Sequence, residues 1–105
     1  MAKLKLIADP VFKLEVAIPA AGKPSVPVEF EFKHLTKTAW VALMTDGSLK
    51  EKTDVWLLLQ IVKSWEFEEE LSEANVQVFL DNYGGAMEAI NNAYIAELRR
   101  AKEKN

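Results

Sequence analysis

The chain has 105 residues, no cysteine, 50% apolar and 28% charged residues, and a formal net charge of −3. That length suits a single domain burying roughly two-thirds of its unfolded surface, and the composition is that of a folded chain rather than a disordered one. Without cysteine there is no disulfide framework, zinc–thiolate site or thiol nucleophile. Without a positive balance, nucleic-acid binding is disfavoured. The first apolar patch is too short for a signal-peptide core, and no run approaches the roughly 18 apolar residues of a membrane helix. One soluble cytoplasmic domain over residues 1–105 is expected, with no nucleic acid and no membrane as partner.

Residues 4–8 form a short apolar piece that Asp9-Pro10 closes, since a residue before proline is pushed out of helical geometry. Phe12, Leu14, Val16 and Ile18 then alternate with polar or small residues, as do Val26, Val28, Phe30 and Phe32. Period-two runs bounded by Pro and Gly predict two half-buried strands, and the connection 19–25, with Gly22 and Pro24, predicts a hairpin. Pro27 cannot donate to a ladder, which places its strand at an edge.

From Leu35 the period lengthens. Thr36 is a candidate N-cap, with Leu35 and Trp40 at staple spacing. Ala39, Trp40, Leu43 and Met44 make the apolar stripe of a first helix, which Asp46-Gly47 ends. Residues 54–65 are the most apolar stretch. Periodicity alone leaves strand and helix open there, and length favours a helix capped by Thr53 or Asp54. This second helix is expected to be the central rod around which the others pack. The acidic segment 66–70 reads as a surface loop. Ser72 caps a third helix carrying Val76, Phe79, Leu80 and Tyr83, and Gly84-Gly85 breaks it, glycine being the residue that takes positive φ without strain. A fourth helix runs from Ala86 to about Lys102, with Met87, Ile90, Tyr94, Leu98 and Ala101 on one side. The fold class is α+β, with a hairpin over residues 1–34 packed on about four helices over 35–105. The expected core includes Trp40, Val55, Trp56, Leu59, Val62, Trp65, Phe79 and Tyr83.

Reactive constellations are not found. A single histidine, His34, rules out a His–His metal pair within the chain. Glu66, Glu68, Glu69, Glu70 and Glu73 lack the ligand order and glycine of a calcium loop and read as a solvated patch, or as a face for a basic partner. No serine sits in a nucleophile elbow, and no Gly-rich loop precedes a helix with Lys-Ser/Thr. An enzyme is not expected, nor a cofactor or a metal. The last helix carries Ile95 beside its main stripe, with Ala89, Ala93 and Ala96 widening the apolar surface. Such a helix packs on a second molecule or within its own domain. Candidate contact residues are Ile90, Tyr94, Ile95 and Leu98, together with Glu68 and Glu69 of the acidic segment.

The order of these residues resembles a known family. Ala8-Asp9-Pro10-Val11-Phe12, Ile18-Pro19, a Gly-Pro turn and the run from Val26 to Thr36 are similar to the amino-terminal half of phage tail assembly chaperones. The apolar helix closing on Trp65, the acidic residues, Tyr83-Gly84-Gly85-Ala86, Ile90, Ala93-Tyr94 and Leu98 resemble the second half. The resemblance spans nearly the whole chain and rests on packing and turn residues, without an active site.

It implies a non-enzymatic chaperone of long-tailed phages and prophages that binds and solubilises the tape measure protein. It also implies recruitment of tail tube protein, through a longer frameshifted form, during tail morphogenesis in the host cytoplasm. A homo-oligomer absent from the mature virion is expected. The rival readings are a structural tail or connector subunit and a generic protein-binding adaptor.

Overall fold

The computed structural model describes residues 6–45 and 53–99. Strand β1 (Val11–Ala20) and strand β2 (Lys23–Lys33) form an antiparallel hairpin. The chain reverses through Ala21-Gly22, where Gly22 takes φ +77°, a left-handed conformation that a Cβ would strain. Alternation then sends Val16, Ile18, Val28, Phe30 and Phe32 to one face, where all are buried. Phe12 and Leu14 extend that face, half-buried. Lys13, Glu15 and Glu29 lie exposed on the other, as expected of an antiparallel sheet with one wet side. Val26, near the turn, follows the inward parity yet stays 48% exposed.

The 54–65 stretch departs from the expected single rod. Helix α2 covers Asp54–Ile61, capped by the Thr53 hydroxyl, which accepts from the Trp56 amide. At Val62 the backbone turns extended, and Val62–Trp65 becomes strand β3, antiparallel to β2. The β3 register pairs Phe30 with Trp65, Glu31 with Ser64 and Phe32 with Val62, so Lys63 is an extra residue. That bulge has a consequence for burial. Residues 62 and 65 would face opposite sides of a regular strand, whereas the extra residue lets both meet the core. Their three-residue spacing therefore looks helical in the sequence.

The strand order is β1-β2-β3, which puts Pro27 in the middle strand rather than an edge strand. The physical rule still operates locally. β3 reaches only Phe30–Phe32, and the Glu29 amide points away from β1 to the Glu66 carboxylate at 2.5 Å. Pro27 shares the parity of Glu29, so its missing N–H lies where no strand pairs with it.

Helix α1 spans Lys37–Thr45 behind Thr36, whose hydroxyl accepts from the Ala39 amide at 3.0 Å. The expected stop at Asp46-Gly47 and the connection 48–52 lie outside the described residues. Helix α3 (Glu73–Asn82) starts at Ser72, which caps the Asn75 amide at 3.2 Å. Helix α4 covers Ala86–Leu98; residues 100–105, including Ala101, Arg100, Lys102 and Lys104, fall outside the described part. Neither Gly84 nor Gly85 has positive φ. What Gly85 supplies is closeness, since a Cβ there would meet the Pro19 ring at 3.3 Å.

One apolar cluster joins the sheet to the helices: Val16, Ile18, Phe30 and Phe32 meet Leu58, Ile61, Val76, Phe79, Ile90 and Tyr94. Burying each such side chain contributes about 1.5–3 kcal/mol. Within the expected core set, Val55, Val62 and Phe79 are buried, while Trp40, Trp56, Leu59 and Trp65 are half-buried. Tyr83 is not core. It is 40% exposed at the C-cap of α3, its ring against Phe79, because the helix ends there and leaves one face of the ring uncovered.

Candidate protein-interaction surface

Helix α1 is apolar without interruption from Ala39 to Met44, yet none of its residues is buried. Trp40, Leu43 and Met44 are half-covered, and Val41 remains 49% exposed. A helix apolar all round is normally covered on most sides. Among the described residues, α1 is not. Its contact with the rest of the molecule runs through Trp40, whose ring lies 5.8 Å from that of Tyr94.

Tyr94 anchors this region. Its ring stacks on Phe12 of β1 and meets Phe32 of β2, and its hydroxyl donates to the Lys33 carbonyl at 2.8 Å. Burial raises the phenol pKa above its ordinary value, with the Leu35 backbone hydrogen bond acting in the opposite direction. Between α1 and the end of α4 lies a groove of about 530 Å³ lined by Leu35, Trp40, Ile95 and Leu98, with the basic residues His34, Lys37 and Arg99. One turn before Ile95, on the same flank of α4, the Asn91 Oδ1 is a buried acceptor with no hydrogen-bond donor among the described residues.

The contact residues expected on α4 therefore separate into two groups. Ile95 and Leu98 line the groove, half-buried and reachable. Ile90 and Tyr94 have 0% exposure and belong to the core, so they are unable to meet another molecule in this conformation. The reason is the sheet: the main stripe of α4 packs on β1, with the Tyr94 ring reaching Phe32 of β2. Glu68 and Glu69 are exposed in the loop after β3, away from this groove's lining. That loop is held by the Trp65 indole donating to the Glu69 carbonyl at 2.7 Å, and by Phe67 packing on Trp65 and Phe79. No group of three or more His, Asp or Glu that could hold a metal ion is found among the described residues. No helix among them is long and apolar enough to cross a membrane.

Sequence reasoning missed Lys37, Val41 and Arg99 as surface determinants. The signal was present in α1, where Val41 and Ala42 fill the positions that a one-sided helix reserves for polar residues.

A small α+β domain with an apolar helix left on its surface has the makings of a protein-binding module. The chain belongs to the phage tail assembly chaperone family, whose model matches residues 1–105. A family of chaperones implies a non-enzymatic role in phage tail assembly, through interaction with tail proteins. Among curated proteins and solved structures, no significant match is found.

Proposed function

We propose that this chain is a non-enzymatic tail assembly chaperone that binds and solubilises the tape measure protein and helps recruit tail tube protein. It acts in the host cytoplasm and leaves before the virion is complete. Family membership supports the assembly role, and the observation that carries the binding mode is α1, apolar without interruption from Ala39 to Met44 and buried nowhere. A long helical chain awaiting its tube exposes apolar ridges that aggregate unless covered. An amphipathic helix laid against α1 and the groove at Trp40, Ile95 and Leu98 covers such a ridge, and Lys37 and Arg99 favour an acidic flank on it. Copies bound along one chain gain from multivalency, so each contact can stay weak enough for the tube to displace it.

Co-expression with the tape measure protein tests this. The wild-type chain is expected to keep the tape measure soluble and to be recovered with it, while Val41→Asp combined with Ile95→Asp, folded by circular dichroism, loses both. A folded double variant that solubilises as well as the wild type removes α1 and the groove from the mechanism. Finding the chain in purified virions by mass spectrometry would favour the structural tail or connector subunit instead. The longer, frameshifted form belongs to the same proposal and is checked by the mass of the products made from the native transcript.

A further inference from the structure

We infer that the segment Lys3–Ile7 of one copy docks on a second copy, in the apolar cleft between the hairpin turn and the end of α3. Leu6 and Ile7 are the most exposed large apolar side chains among the described residues, at 101% and 81%. They follow Lys3, Leu4 and Lys5 in the sequence, so the segment is apolar and basic at once.

The cleft has the opposite character. A hollow of about 330 Å³ at the turn end of the hairpin is lined by Ile18, Val26, Val28, Phe67, Phe79 and Tyr83. Around Phe67 and Tyr83 it continues into a second hollow of about 320 Å³ that reaches Val78 and Glu69. Val26, Val78 and Tyr83 stay 48%, 57% and 40% exposed along it. The charged surroundings are mainly acidic: Glu69 lines the cleft, and Glu68 and Glu70 stand exposed on either side of Glu69 in the chain. Lys23 is the cation in the lining.

Charge and reach together select the occupant. The segment leaves β1 beside the α1 groove, since the His34 amide donates to the Pro10 carbonyl at 2.8 Å. That groove carries His34, Lys37 and Arg99, the same sign as Lys3 and Lys5, and Leu6 and Ile7 are too exposed to be seated in it. The acidic cleft has the complementary sign but lies out of reach within one chain. Ile18, at its edge, is eight residues beyond Pro10 along β1, about 26 Å. Leu6, four residues before Pro10, extends at most about 14 Å from it. The segment that fits therefore comes from another copy. Laid extended in the cleft, Leu4 and Leu6 would share one side, against Val26, Phe67 and Tyr83. Lys3 and Lys5 would turn their ammonium groups on long stems to Glu68 and Glu69. Groove and cleft lie at opposite ends of the hairpin, so a copy docked in the cleft leaves the α1 groove open.

The isolated protein tests this docking without any tail component, so its failure is separate from that of the tape-measure reading. Sedimentation up to about 1 mM should show concentration-dependent association. Leu6→Asp with Ile7→Asp should weaken it by more than about tenfold. Circular dichroism should stay unchanged, because neither side chain is packed within its own chain. Lys3→Glu with Lys5→Glu, and separately Glu68→Lys with Glu69→Lys, should each weaken association, and mixing the two variants should restore it. Glu69 holds the Trp65 indole through its carbonyl, which the substitution keeps. A photo-cross-linking residue in place of Leu6 should capture Phe67 or Tyr83 of a second copy, identified by mixing isotope-labelled and unlabelled chains. A wild-type monomer at the highest concentration, a mixture no more associated than its components, or cross-links that fall elsewhere, within one chain or between two, would each overturn the inference.

Discussion

Residues 39–44 and 55–62 are comparably apolar, and they end in opposite environments. From α2 into β3, Val55, Leu58, Ile61 and Val62 are buried, whereas α1 contributes no buried residue. The cause of the difference is the tether at the end of α2. The chain leaving that helix pairs at once with β2, which presses the helix against Phe30 and Phe32. Among the described residues, the main hold on α1 is Trp40 on Tyr94. Apolar content says that a surface will be covered; topology decides whether the cover comes from the same chain or from another.

The sharpest way to break that comparison is at its buried side. Leu58 is 0% exposed, so Leu58→Ala is expected to cost about 2–5 kcal/mol by lost burial and the cavity left behind. For a domain with about 5–15 kcal/mol of stability that approaches unfolding, and a denaturant midpoint measures it. Trp56, two residues earlier but only half-buried, should cost less on Trp56→Ala. Equal losses would show that burial along α2 is not graded as the packing implies.

The same contrast marks how far the sequence could be read. The hairpin was legible because alternation at Phe12–Ile18 and Val26–Phe32 has no rival reading, and the caps at Thr36, Thr53 and Ser72 obey local rules. The α2–β3 switch was not. Val55, Leu58, Ile61, Val62 and Trp65 recur at three and four residues, and a bulge at Lys63 reproduces that spacing in a strand. Length then argued for the wrong continuation. The interaction surface was half-legible: Ile95 and Leu98 lie in the groove, but Ile90 and Tyr94, on the same stripe, are covered by a sheet whose position on α4 is a long-range fact. Tyr83 failed for a similar reason, since its helical spacing does not reveal that the helix stops at that residue.

Smaller effects sharpen the comparison at the joint between its halves, where Tyr94 links α1 to the sheet. Tyr94→Phe removes the hydroxyl bond to the Lys33 carbonyl and is expected to cost about 1 kcal/mol. The sign of the pH dependence comes from the raised pKa. The neutral phenol is favoured in the folded state, so its contribution is fully present below the ordinary value of 10.0 and is lost as pH rises through the higher folded value. Alkaline titration of stability should therefore be shallower in Tyr94→Phe than in the wild type; identical slopes would remove Tyr94 as the cause. Thr53→Ala and Ser72→Ala each take an acceptor from a helix start and should cost about 1 kcal/mol in thermal unfolding.

The smallest expected change in stability is the most informative about α1. Val41 is 49% exposed, so replacing it with lysine removes little buried area and introduces a better helix former. Val41→Lys should shift stability by no more than about 0.5 kcal/mol, while the equivalent change at Val55, 5% exposed under α2, should prevent folding by burying a charge. If Val41→Lys destabilises as strongly as a core substitution, α1 is covered by its own chain after all, and the case for an external partner there is lost. If stability holds and solubilisation of the tape measure protein falls, the apolar surface of α1 is retained for binding. A side chain that can change with so little effect on folding has then been kept hydrophobic by what docks on it.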